Sequence, residues 1–207
     1  SCSTFMLYLG VDRSYEGLPH HNVIFADDYR RNVEEISEEM VLSEDPSFYV
    51  QNASVTDSTV APEGHSTIYV LVPCPNVRSG IRWESVAGDY EERVLELAEQ
   101  KGGFTGLRDS VVEKKVISPA DWQARYDVYE GATFNLAHTM GQVLYFRPHN
   151  RFQEIENCYL VGGGTHPGSG LPTIYESGRI SSNLICEDLG VEYPAPEEMG
   201  EEIADLG

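Results

Sequence analysis

The sequence predicts a mixed α+β chain in two parts, and three observations point to it. Short β-branched or alternating apolar stretches recur through the first 145 positions, interleaved with segments of helical period. Turn signals such as Gly17-Leu-Pro19 and Pro62-Glu-Gly64 separate them. Residues 157–178 then read as a brief apolar run, a loop with five glycines in nine positions (Gly162, Gly163, Gly164, Gly168 and Gly170), and a helix. The expected architecture is an antiparallel sheet with flanking helices over 1–145. The last strand, glycine loop and helix of a separate α/β sheet follow over 146–190, and an acidic tail over 191–207.

Residues 4–11 are rich in β-branched and aromatic side chains and give the first strand; 22–26 give the second. Over 27–40, Tyr29, Val33, Ile36 and Met40 fall at spacings of 4, 3 and 4, one apolar stripe of a helix, with Asp27 and Asp28 in its first turn. Residues 47–55 and 67–72 read as further strands. A longer helix over 83–100 carries Val86, Tyr90, Val94 and Leu97 on one face and acids on the other, and Gly102-Gly103 stops it. A strand over 111–117 leads to Ser118-Pro119, a cap followed by a first-turn proline, which opens a helix over 120–126. Residues 143–146 and 159–161 are expected as the last strands and 173–189 as the final helix.

Composition bounds the function. Hydrophobic residues make up 41% of 207, enough for a sizeable core rather than disorder. The longest apolar runs, 5–11 and 68–73, fall far short of the roughly 18 residues of a spanning helix. Fourteen basic against 34 acidic residues give a net charge of −20, which argues against nucleic acid as a partner because phosphate binding needs clustered cations. Eight of those acids lie in 187–207, a stretch without Lys or Arg that reads as a solvated tail. Cys2, Cys74, Cys158 and Cys186 form no C-x-x-C pair, so free thiols are expected and a metal site is not. The His20-His21 pair lacks the i, i+4 spacing of a helical metal site and reads as a turn feature.

Dense glycines let a backbone bend sharply and approach a ligand closely, and a helix leaving such a loop turns its first N–H groups toward that ligand. The loop is not a dinucleotide fingerprint, however. Pro167 stands where the third glycine belongs, and the acidic residue about 20 positions on would be Glu187 or Asp188, at the end of a helix rather than of a strand.

Three blocks carry a resemblance. The stretch Gly162-Gly-Gly-Thr-His-Pro-Gly-Ser-Gly-Leu-Pro172 with the small Ser177, the block Gly131-Ala-Thr-Phe-Asn-Leu-Ala-His138 followed by Gln142 and Phe146-Arg-Pro-His-Asn-Arg151, and the opening Ser3–Asp12 with His20–Phe25 together resemble the bacterial and fungal type phytoene desaturases. These are FAD-dependent carotenoid desaturases, and the likeness runs to about Gly190. Members of that family are about twice as long and begin with a G-x-G-x-x-G loop for the FAD pyrophosphate. The resemblance therefore implies that this chain, which begins Ser1-Cys2, is the C-terminal portion of a longer enzyme whose N-terminal half is its partner.

The resemblance further implies that 1–145 is part of a substrate-binding domain and 146–190 the C-terminal strand, loop and helix of a Rossmann-like FAD-binding domain. Gly163, Gly164, Thr165, His166, Gly168, Gly170, Leu171 and Pro172 are expected at the flavin. His166 and Arg147 are the catalytic candidates, with a hydrogen-bonding role in the turn favoured for His166 over that of general base. Phe134, His138 and Phe146 are the candidates for contact with a carotenoid hydrocarbon. Removing a hydride and a proton from adjacent carbons needs a redox cofactor, because no side chain accepts a hydride. A related desaturase, an isomerase, a ketolase, or a flavin-free fragment inactive alone are the alternatives. A cytoplasmic location is expected; so apolar a substrate implies membrane contact, which the resemblance makes peripheral, docked through an apolar patch rather than by charge.

Overall fold

The computed structural model describes residues 1–137 and 139–194, and the chain divides into two compact units, Ser1–Thr133 and Phe134–Gly207. The division falls ahead of the boundary expected at 145. Cys2, Cys74, Cys158 and Cys186 are all free thiols.

The first unit is built on one antiparallel sheet. Its strands β1 (Ser3–Val11), β2 (His21–Ile24), β3 (Phe48–Asn52), β4 (Ser66–Cys74) and β5 (Val111–Ile117) lie in the order β2-β3-β4-β1-β5. The two central strands are apolar on the face that is covered. In β4 Ser66, Ile68, Val70, Val72 and Cys74 are buried while the alternate side chains are half-exposed, as a period of two requires. Pairing places Tyr8 opposite Tyr69, and Met6 opposite both Leu71 and Ile117.

Of the helices α1 (Tyr29–Glu34), α2 (Trp83–Gln100), α3 (Leu107–Ser110) and α4 (Pro119–Tyr126), α2 supplies most of the helical share of the core. Its Tyr90, Val94 and Leu97 are buried as its periodicity predicts, with Val86 packed at the margin. Phe5 of β1 stacks on Trp83 at 5.4 Å between ring centroids and meets Tyr90 edge-on at 5.3 Å. Glycine is required just beyond α2. Gly103 has φ +75, and a Cβ on Gly102 would lie 2.7 Å from the carbonyl oxygen of Ala98. Ser118 starts α4 with a full capping box: its hydroxyl takes the Asp121 N–H while the Asp121 carboxylate takes the Ser118 N–H.

The structure corrects the expected helix over 27–40. α1 ends at Glu34, a π-helical turn follows over Glu35–Glu39, and Met40 is left-handed. Asp28 is its N-cap, accepting from the Arg31 N–H at 2.9 Å. The inward residue is Asn32, whose Oδ1 accepts from the Ser47 N–H at 3.0 Å, while Tyr29 and Val33 are exposed. The wider π turn shifts the phase of the side chains, so no single stripe of period 3.6 persists across the segment.

The expected strands over 143–146 and 159–161 are also corrected. The first is a pair of 3₁₀ turns, Met140–Gln142 and Leu144–Phe146, with Leu144 at positive φ. The second is reduced to an isolated bridge between Arg151 and Tyr159. A strand needs a neighbour for its N–H and C=O groups, and the described residues of this unit offer none beyond that bridge. The last helix, α5 (Leu171–Leu189), forms as expected but starts two positions earlier, with Pro172 in its first turn and Gly190 as its left-handed C-cap.

Candidate functional site

The second unit has an unusual interior. Among its described residues the buried side chains are Arg147, Asn150, Thr165, Ser177 and Ser181, and none of them is apolar. Several of its hydrophobic residues lie outside: Leu144, Tyr145, Phe146, Val161, Leu171 and Tyr175 are each at least 61% exposed, while others such as Leu160 and Ile174 are half-buried. What holds the glycine loop is therefore a polar network rather than apolar burial.

Asn150 is its hub. The Nδ2 group lies 3.2 Å from the Leu160 carbonyl, 3.0 Å from that of His166, 3.3 Å from that of Ser177 and 3.3 Å from the Ser181 hydroxyl. Two hydrogens thus serve four acceptors. Ser177 and Ser181 are one helical turn apart on the inward face of α5. The Ser177 hydroxyl accepts from the Gly162 N–H at 2.9 Å and donates to the Ile174 carbonyl at 2.6 Å, and Ser181 donates to the Leu160 carbonyl at 2.7 Å. Small side chains let α5 approach the loop closely, which gives the small residue expected at 177 its physical reason. Farther along, the Arg151 guanidinium binds Asp188 near the end of α5 through Nε (3.0 Å) and Nη2 (2.8 Å), and the Tyr159 hydroxyl donates to the same carboxylate at 2.5 Å.

The loop itself lies between Asn135 on one flank and Arg147 on the other. Gly162, Gly168 and Gly170 have φ of +115, +149 and +99, which a side chain would strain. A Cβ on Gly163 would lie 3.3 Å from the Asn135 side chain, and one on Gly164 3.5 Å from it, so the closeness that glycine permits at these positions is used by Asn135. On the other flank, Arg147 Nη1 donates to the Gly163 carbonyl, and its Nε would stand 3.6 Å from a Cβ on Gly168. Arg147 is 2% exposed, and its Nη2 has no hydrogen-bond partner among the described residues.

The predicted site residues divide accordingly. Gly163, Gly164, Thr165, His166, Gly168, Gly170, Leu171, Pro172 and Arg147 come together around the bend. Thr165 turns inward and donates to the Pro148 carbonyl, so its side chain braces the turn. His166 has its Nδ1 3.1 Å from the Leu144 carbonyl. A carbonyl only accepts, so this contact calls for a proton on Nδ1. The peptide between His166 and Pro167 is cis. Phe146 is exposed and Phe134 half-buried in the same unit; His138 lies outside the described residues. Sequence reasoning missed Asn135, Asn150, Ser181 and the Arg151–Tyr159–Asp188 cluster. The four-residue spacing of Ser177 and Ser181 was the one signal available.

The start of α5 suits an electron-rich ligand. Its N-cap, Gly170, provides no side-chain hydrogen bond, so none of the first N–H groups is capped by that residue. Those amides and the glycine backbone form a donor set fitted to a flavin edge or another group with negative charge. Among the described residues no His, Cys, Asp and Glu cluster suits a metal ion.

No family model matches the chain. Curated relatives do. The chain is 52% identical over 193 residues, 93% of its length, to the 4,4'-diapophytoene desaturase (4,4'-diapolycopene-forming) of Methylomonas sp. It is 42% identical over 92% of its length to the all-trans-zeta-carotene desaturase of Myxococcus xanthus, and 35% identical over 91% to the phytoene desaturase (lycopene-forming) of Pseudescherichia vulneris. The chain is homologous to a segment of the carotenoid desaturases. It spans only 38%, 36% and 38% of these three relatives' lengths.

Proposed function

We propose that this chain is the C-terminal portion of an FAD-dependent carotenoid desaturase, an oxidoreductase that removes a hydride and a proton from adjacent carbons of a polyisoprenoid hydrocarbon. The observation that carries this reading is the bend at 162–171, where all three glycine, asparagine and arginine features meet at an uncapped helix start. The part of the enzyme outside this chain holds the rest of the FAD in a Rossmann-like domain, which α5 and its loop complete. A unit whose buried side chains are all polar has little hydrophobic drive of its own, and its exposed Leu171, Tyr175 and Val161 offer the apolar area that such a domain would cover.

When bound, the flavin supplies the hydride acceptor that no side chain can be. The chain's own share is binding, orientation and proton handling. The amides of Gly163, Gly164 and Leu171 would meet the cofactor's electron-rich edge, with Gly168, Gly170 and Pro172 shaping the turn. His166 would take the substrate proton through its Nε2, while its Nδ1 fixes the ring on the Leu144 carbonyl.

The substrate offers no polar handle, so apolar contact at about 25 cal/mol per Å² supplies nearly all its affinity. Phe134, His138 and Phe146 are the candidates in the second unit; in the first unit, taken by itself, the face of the sheet away from α2 carries a row of rings. Tyr8 and Tyr69 are 5.3 Å apart, Tyr69 and Tyr49 6.0 Å, and Tyr49 and His21 5.9 Å. Val23, Phe25, Tyr29 and Val33, all exposed, make the apolar patch expected for peripheral membrane contact.

Purifying the protein with its N-terminal portion tests the proposal. It should carry the visible absorbance of flavin and convert phytoene or a shorter analogue to more unsaturated products, whereas the 207-residue chain alone should be colourless and inactive. A longer protein that folds, holds no flavin and leaves every such hydrocarbon unchanged would refute it.

A further inference from the structure

Four basic side chains, Arg13, Arg82, Lys115 and Arg147, make no ion pair among the described residues, and of these only Arg147 is buried. The chain has 34 carboxylates, more than twice its count of cations, and none of the described ones reaches this guanidinium. Burying a cation without a counter-charge is costly, and a protein so rich in acids had every means to supply one. The charge is instead held against the underside of the glycine bend, between the Gly163 carbonyl and the Gly168 backbone, with Nη2 unpartnered. A lysine would not suit the place, because the planar fork alone lets one nitrogen hold the Gly163 carbonyl while another stays free.

We propose that Arg147 is an electrostatic positioning residue: its buried charge is the counter-charge for the negative charge that the flavin gains on reduction, delivered through the loop it braces. The proposal rests on the flavin reading above and deepens it. The residue acts in two ways. Its hydrogen bond sets the position of Gly163, whose neighbouring amides meet the ligand. Its charge, shielded from water, raises the affinity of the site for reduced over oxidised flavin, because a low-dielectric surrounding strengthens the attraction.

The test uses the full-length protein, unsubstituted and with Arg147→Met or Arg147→Lys. Arg147→Met keeps an unbranched apolar stem and removes the guanidinium with its charge. It should weaken the preference for reduced flavin about tenfold, which for a two-electron couple is a fall of about 30 mV in midpoint potential. Arg147→Lys should keep the potential near that of the parent while loosening FAD binding. A purely structural arginine would give the opposite pattern, with lower thermal stability in both variants and an unchanged potential in Arg147→Met, and that result overturns the inference.

Should Arg147→Met fail to fold, the unsubstituted protein still decides. Its reduced flavin should remain anionic well below the pH at which free reduced flavin binds a proton at N1. Protonation at the free-flavin pH would count against the proposal. A full-length protein that binds no flavin at all would instead sink the parent reading, so the two failures are distinguishable.

Discussion

The side-chain nitrogen of Asn150 lies 3.0 Å from the carbonyl oxygen of His166, fastening the middle of the glycine bend to the segment that precedes it. The same nitrogen reaches the carbonyls of Leu160 and Ser177, so one amide ties loop, bridge and helix together. Replacing it by alanine leaves buried carbonyls without a donor and should cost about 1–3 kcal/mol. Asn150→Asp should cost more, because a carboxylate would face oxygen atoms on every side. Thermal unfolding measures the cost, and faster amide exchange at Gly162 to His166 locates it. Unchanged exchange there in both variants would show that the hub does not hold the bend.

A dependence on pH follows from the Arg151–Tyr159–Asp188 cluster. The Tyr159 hydroxyl, and after it the Arg151 guanidinium, hold the Asp188 carboxyl below its ordinary range. The folded value is the lower one, so the stabilisation is full above the unfolded carboxylate pKa of about 3.9 and is lost as the pH falls through the folded value. The same bond to Asp188 raises the Tyr159 phenol, and burial adds to it. That contribution is full below the ordinary phenol value of about 10 and is lost as the pH rises through the folded one. Asp188→Asn should therefore flatten both the acid and the alkaline limb of a stability profile, where an unrelated surface carboxylate would alter only the acid one.

Gly131 gives a sharp steric prediction in the first unit. Its φ is +60, and a Cβ there would fall inside contact distance of the Pro119 carbonyl. Gly131→Ala should destabilise the unit by more than about 1 kcal/mol, since neither strain nor clash can relax without moving the start of α4. Gly17→Ala, which meets nothing within 4 Å and has no positive φ, is the matched control and should be nearly neutral by denaturant midpoint.

At the other end of the same contact, Ser118→Ala removes the cap of α4 and should cost about 1 kcal/mol. The reciprocal bond makes Asp121→Ala a partial copy of it. A double substitution costing less than the sum of the two singles would show the capping box acting as one unit.

Phe5 tests the core. It is fully buried, stacked on Trp83 and edge-on to Tyr90. Phe5→Ala should cost about 3–5 kcal/mol in chemical denaturation. A value below about 1 kcal/mol would mean that α2 does not cover this face of the sheet in solution.

Much of the first unit was legible in the order of its residues. The strand at 111–117, the helix at 83–100 and the Ser118-Pro119 start come out where local pattern puts them, because each is fixed by its own periodicity and caps. The helix over 27–40 was not legible beyond Glu34, since a π turn changes phase without any mark in the composition. The strands expected over 143–146 and 159–161 failed for a different reason: apolar residues there have the right propensity and no described partner strand.

The sequence alone determined that a glycine bend leads into a helix near residue 171, and its motif pointed to the carotenoid desaturases. Motifs are local, and glycine, proline and small residues declare a turn by what they allow. Only the tertiary structure decided that Asn135 lies against that bend on one flank and Arg147 on the other, and that the fully buried side chains among the described residues of the second unit are polar. Those facts depend on which distant segments meet. Hydrogen bonding between groups far apart in the chain leaves no period to be read, because a single asparagine or arginine looks the same in sequence whether it is solvated or at the centre of a network.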